Sequence, residues 1–229
     1  SAVPRLADAA DVVGLRVAFG AEKYFSLMVT RSDTGIESLS DLEGEDVATQ
    51  NVSSLSGGIA PFWMLQEQGG LDIGDAPDGG GAGDFNWVQA DAHDTAVNSV
   101  VNGDVAACGA GAFVTVEHVP EDQILNAENG QELADISPDF ADAGTADPQL
   151  QLLKISPSLP RAPILANAGW DDDVRQDIDE FMLNAERSEF QHDGFELADE
   201  LGADLPDEML EDYNGDGVAD NPQEAYGLS

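Results

Sequence analysis

The residues best suited to chemistry fall in one run, Val47-Ala48-Thr49-Gln50-Asn51-Val52-Ser53-Ser54-Leu55-Ser56-Gly57-Gly58-Ile59-Ala60-Pro61. It reads as strand, hydroxyl-rich turn, helix. A helix start leaves backbone N–H groups unpaired, which favours an anion there, and serine hydroxyls add donors. Gly57 and Gly58 let a ligand come close to the backbone. The competing reading is purely local: Ser54 or Ser56 caps the helix and nothing binds. Further on, Asp91-Ala92-His93-Asp94-Thr95-Ala96 opens a second helix with an imidazole at its mouth. A histidine there can donate to an anion, or it can be a plain surface residue. Cys108 is the single cysteine. As a nucleophile with His93 as base it would make a hydrolase. Its run, Val105-Ala106-Ala107-Cys108-Gly109-Ala110, is small and apolar, which fits a core strand better.

These groups need elements to hold them. Apolar runs with β-branched and aromatic content predict strands at Leu15–Phe19, Tyr24–Thr30, Asp46–Thr49, Phe85–Val88, Val105–Cys108, Leu150–Ile155 and Pro163–Ala166. Helical patterns lie between them: a short turn from the capping-box-like Ser38-Leu39-Ser40-Asp41 to Gly44, then 58–68, 94–102 and 171–185. Strand and helix alternate, so the fold class is α/β with a mostly parallel sheet. Both candidate helix starts follow strands, at the carboxyl edge where open α/β sheets place ligands. Two helix starts, a serine cluster and a histidine on one edge describe an oxyanion pocket. The Gly- and Asp-rich stretch 75–84 reads as a solvated loop, because no helix pattern opens directly after it. Residues 120–148 read as short helices and loops.

Composition narrows the partners. The 229 residues carry 46 acidic and 8 basic side chains, a formal charge of −38. That argues against nucleic acid, whose phosphates need cations, and against an anionic membrane surface. The chain is 42% hydrophobic, in periodic runs, so it folds in spite of its charge. Acid excess with only two lysines, Lys23 and Lys154, reads as a halophilic carboxylate coat. One cysteine allows no intrachain disulfide and no cysteine-based zinc site. Ser1-Ala2-Val3-Pro4 shows no signal-peptide pattern, and no apolar stretch reaches the ~20 residues of a spanning helix.

Several pieces stand in a telling order: Tyr24-Phe25-Ser26-Leu27-Met28-Val29-Thr30, then Thr34-Gly35-Ile36-Glu37-Ser38-Leu39-Ser40-Asp41-Leu42-Glu43-Gly44. Ser54-Leu55-Ser56-Gly57, Ala92-His93-Asp94, Val101-Asn102-Gly103-Asp104-Val105 and Ser156-Pro157-Ser158-Leu159-Pro160-Arg161-Ala162-Pro163-Ile164 follow. Over residues 1–190 the chain resembles the phosphonate/phosphate/phosphite-binding solute receptors of ABC importers. The resemblance implies a two-lobed periplasmic-binding-protein-like α/β fold with lobe I incomplete. Residues 1–33 and 151–205 would form the partial lobe I, 34–150 lobe II, and 206–229 an acidic C-terminal tail. Ser54, Ser56 and the backbone of Leu55 and Gly57 would grip the oxyanion, His93 would add a donor, and Tyr24 would line the cleft. Leu55 stands where aminophosphonate binders often have Thr, and Gly111 and Ala162 stand in place of acids that pair with a ligand amine. That favours phosphate, phosphite or a simple alkylphosphonate.

By the same resemblance the chain is no enzyme, needs no cofactor and delivers its ligand to a membrane permease. It would work outside the cell, tethered to the surface in the full-length protein. A sensor that binds an oxyanion without transporting it is the alternative. Outside the resemblance, Asp212-Tyr213-Asn214-Gly215-Asp216-Gly217-Val218-Ala219-Asp220 places oxygen ligands as a calcium loop does, at Asp212, Asn214, Asp216 and Asp220. Gln223 takes the usual position of the bidentate Glu. Calcium and a solvated acidic tail both remain open.

The charge generates a first prediction. Screening length falls from ~10 Å at 0.1 M salt to ~3 Å at 1 M. Circular dichroism across a salt series should therefore show cooperative loss of structure on dilution. Equal stability at low salt would contradict it.

Overall fold

A computed structural model describes residues 10–15, 21, 23–167, 169–171, 173, 174, 176 and 177. The chain divides into two compact units, residues 1–22 with 160–229, and residues 23–159. In the first, β1 (Ala10–Leu15) pairs antiparallel with β9 (Pro163–Asn167), with a register shift between Val12 and Gly14. The strand expected at Leu15–Phe19 falls mostly outside the described residues. So do most of the helix expected at 171–185, the tail at 206–229, and Asp212, Asn214, Asp216 and Asp220.

The second unit holds a five-stranded sheet. Its strands are β3 (Ser26–Arg31), β4 (Asp46–Thr49), β5 (Asn86–Gln89), β6 (Ala107–Gly111) and β7 (Leu150–Ile155), in the order β5-β4-β6-β3-β7. β4 runs parallel to β5 and β6, while β3 runs antiparallel to both β6 and β7. The sheet is thus more mixed than expected, with two parallel and two antiparallel ladders. β3 and β7 complete this sheet, so the boundaries at 22/23 and 159/160 differ from the division at 33/34 and 150/151 expected from sequence. The short strands β2 (Lys23–Tyr24) and β8 (Leu159–Pro160) pair separately.

Period-two alternation sends side chains to two cores, one on each face of the sheet. Leu27, Val29, Ala48, Cys108 and Ala110 pack with Ala96, Val97 and Val100 on one side. Met28, Val47 and Ala107 pack with Phe62, Met64 and Leu65 on the other. The second set rides on a helical run, α1, made of Leu55–Ile59, Ala60–Trp63 and Met64–Gln68. The first set rides on α2 (His93–Asn102), which stops at Gly103 with φ 80°. Gly109 has a steric reason. A Cβ there would stand 2.5 Å from two Pro61 carbons and 2.8 Å from Met28 Sδ, so α1 lies directly on the β6 backbone.

β6 runs to Gly111, beyond the expected Cys108. Its small residues carry little strand propensity, and the register Ser26↔Gly111 to Thr30↔Ala107 decides the boundary. After it come the short helices α3 (Ala112–Thr115), α4 (Glu121–Asn126) and α5 (Gly130–Ile136). Among the described residues no helix is long and apolar enough to cross a membrane.

Candidate functional site

The parallel strands β4, β5 and β6 end on one edge, and each feeds a helix: α1, α2 and α3 in turn. The sequence candidates meet there because the loops are short and hydrogen-bonded to one another. Gln50 leaves β4 and ties two of them. Its N–H donates to Gly57 O at 2.7 Å, and its side-chain Nε2 donates to Asp91 O at 3.1 Å, just before α2. Its Oε1 is buried and without a hydrogen-bond partner.

At the start of α1, Ser54 is the cap. Its Oγ accepts from Gly57 N–H at 3.1 Å, and its carbonyl accepts from Gly58 and Ile59 N–H at 3.1 and 3.0 Å. The helix therefore begins at Leu55, three residues earlier than the apolar pattern alone predicts. The local reading holds for Ser54, and the Gly57 N–H is committed to it. The Leu55 and Ser56 N–H groups, in the opening turn, have no preceding helical carbonyl to reach. Ser56 is only 3% exposed, and its carbonyl accepts from Ser26 Oγ at 2.6 Å. Ser26 in turn is tied twice to Ser156, from its N–H to Ser156 Oγ and from Ser156 N–H to its carbonyl, both 2.9 Å. This buried serine knot fixes Ser56 to the sheet edge.

His93 is the first residue of α2, partly buried, with Ala92 as a cap that offers no side-chain bond. Its Nδ1 accepts from Gly111 N–H at 3.1 Å. An accepting Nδ1 leaves the proton on Nε2 in the neutral ring. The imidazole also lies edge-to-face with Phe113, ring centroids 4.9 Å apart at 79°. A Cβ on Gly57 would overlap Gln50 Oε1 and stand 2.8 Å from His93 Cε1, so α1 and α2 start side by side only because residue 57 is glycine. Burial pushes the His93 pKa below the ordinary imidazole value, against the opposing pull of the Asp94 carboxylate. The site thus offers neutral donors: Ser54 and Ser56 hydroxyls, two helix-start N–H groups and His93 Nε2–H.

Ser54, Leu55, Ser56, Gly57 and His93 come together in this way. Tyr24 lies on β2, half-buried, two residues before Ser26. Sequence alone does not single out Gln50, Ser26, Ser156 and Phe113, since serine and glutamine in strands and turns, and phenylalanine in a short helix, look like packing. Gly111 is buried and bonds His93; Ala162 is exposed in the other unit. Cys108 is wholly buried, and burial pushes its thiol pKa far up, the wrong direction for a nucleophilic thiolate. Among the described residues no group of three or more His, Cys, Asp or Glu side chains is placed to hold a metal.

Residues 2–209 match the family described as ABC transporter, phosphonate, periplasmic substrate-binding protein. The chain belongs to that family. No curated protein matches. Among solved structures, XAC2383 from Xanthomonas citri bound to ATP aligns with TM-score 0.56 and 19% identity, over 85% of this chain and 63% of that one. The same protein bound to chloride aligns with TM-score 0.55 and 18% identity, over 80% and 60%. PhnD1 from Prochlorococcus marinus in complex with methylphosphonate gives TM-score 0.45 and 15% identity, over 84% and 63%. This phosphonate-receptor family member therefore spans about six-tenths of the length of those structures. The two alignments with XAC2383 show a shared fold.

A pH dependence follows from His93. The unfolded imidazole binds its proton near the ordinary value of 6.5, and the folded one only at lower pH. Between the two the unfolded state holds more protons, so stability rises with pH there. The contribution is complete above the unfolded value and is lost as pH falls through the folded one. NMR titration in molar salt should give His93 a midpoint below 6.5. A midpoint at or above that value would contradict a desolvated, Nδ1-accepting ring.

Proposed function

We propose that this chain captures a phosphorus oxyanion, as phosphate, phosphite or a simple alkylphosphonate, for an ABC importer working outside the cytoplasmic membrane. Family membership supports a solute-binding role, and the ligand class is read from the site. The observation that carries it is the Gly111–His93 bond, which leaves Nε2–H as a fixed donor beside the opening turn of α1. In this reading Ser54, Leu55, Ser56, Gly57 and His93 surround the oxygens and Tyr24 borders them. Ser56 and His93 donate directly, the Leu55 backbone adds an N–H, and Gly57 serves by having no side chain. Every donor is neutral. A dianion is then held by dipoles already pointed at it, with no long cationic side chain to order.

The unit also offers no acid at position 111 to meet a ligand amine. An ammonium group would be desolvated there without a partner, which is costly. Phosphate, phosphite or methylphosphonate should bind at least as tightly as 2-aminoethylphosphonate. Calorimetry in molar salt on the full chain tests this reading. Ser56→Ala and His93→Ala should each weaken binding by about 1.5–3 kcal/mol, roughly ten- to a hundredfold in Kd, with the fold retained. Unchanged affinity in both variants would remove the pocket.

A further inference from the structure

Phe113 is anomalous in its surroundings. Its neighbours Ala112 and Thr115 are buried, and Thr115 Oγ1 donates to Gly111 O at 3.0 Å, yet Phe113 is 41% exposed. It is not loosely held. One side of the ring meets the His93 imidazole edge-to-face. It also fills the space above Gly111, where a Cβ would overlap Phe113 Cε1 and stand 2.9 Å from Cδ1 and Cζ. Gly111, His93 and Phe113 form a closed triangle: a hydrogen bond, a ring contact and a shared volume. The aromatic ring thus occupies the position toward which any side chain at 111 would project.

On the reading that this edge binds a phosphorus oxyanion, we propose that Phe113 is its specificity-determining residue, the apolar wall that receives the fourth substituent on phosphorus. The donors of Ser54, Ser56, Leu55 and His93 can serve the oxygens that face them. The group turned toward Phe113 finds carbon and no donor. An oxygen there gives up water without a replacement hydrogen bond, whereas a hydrogen or methyl group gives up nothing. The site therefore ranks methylphosphonate and phosphite above phosphate. A ligand ammonium on the ring face is the competing outcome, since aromatic faces attract cations.

The test is a ratio. Dissociation constants for methylphosphonate, phosphite, phosphate and 2-aminoethylphosphonate are measured by calorimetry in molar salt on the full chain and on Phe113→Ala, Phe113→Leu and Phe113→Asp. Circular dichroism checks the fold of each. The wild-type chain should favour methylphosphonate over phosphate by roughly tenfold, the scale of one well-placed apolar group. Phe113→Ala should bring that ratio close to one, Phe113→Leu should keep most of it, and Phe113→Asp should shift preference toward 2-aminoethylphosphonate. A ratio untouched by Phe113→Ala would overturn the assignment while leaving the oxyanion site intact. So would a wild-type preference for phosphate or for the amine. Failure of the wild-type chain to bind any of the four would instead overturn the oxyanion reading itself, and this inference with it.

Discussion

The hydrogen bond from Gly111 N–H to His93 Nδ1 is the constraint on which the carboxyl edge of the larger unit depends. It joins the last residue of β6 to the first residue of α2, and so couples the sheet to a helix through a side chain. It also assigns the imidazole proton. With Nδ1 accepting, the neutral ring must carry hydrogen on Nε2. Burial acts in the same direction by disfavouring the charged ring. Had the cap residue Ala92 been Ser or Asp, the start of α2 would have had a local partner of its own. As it stands, His93 is what α2 presents at that end.

Close backbone approach lets the other loops reach the same place. Gly57 leaves room for Gln50 and His93, and Gly109 leaves room for Pro61. Each absent Cβ brings two elements nearer than side chains would permit. The buried serines complete the arrangement. Ser26 and Ser156 are tied twice across β3 and β7, and Ser26 Oγ holds the Ser56 carbonyl. Ser56 is thereby placed by the sheet as much as by its own helix. Net hydrogen bonds of about 1 kcal/mol apiece are modest for stability, but here they set position, on which donor geometry depends.

Much of this was legible in the sequence, and the exceptions have physical causes. β4 and β7 were readable to the residue because their runs are apolar and bounded by turns. α2 starts one residue before the predicted 94, because a helix that begins on histidine with an alanine cap lacks the usual signal. The length of β6 was hidden: Gly109-Ala110-Gly111 pairs through register with β3, a long-range fact no local window contains. The same holds for β3 and β7, whose membership of the larger unit follows from pairing rather than from position in the chain. In the site, Ser54, Ser56 and His93 stand out because hydroxyls and imidazole near helix starts suggest chemistry, Gly57 because it opens the backbone to a ligand, and Leu55 only through the family resemblance. Gln50 and Phe113 do not, since their roles are to bridge and to fill space created by glycines elsewhere.

In the proposed site a neutral imidazole, fixed by Gly111, turns its Nε2–H to the ligand. Long-range proton–nitrogen NMR of the His93 ring, with and without methylphosphonate in molar salt, addresses it directly. An Nε2–H tautomer is expected in the free protein, with a ligand-induced shift centred on Nε2 and Nδ1 little changed. A ring protonated on Nδ1, or a His93 whose two nitrogens ignore saturating ligand, would contradict it.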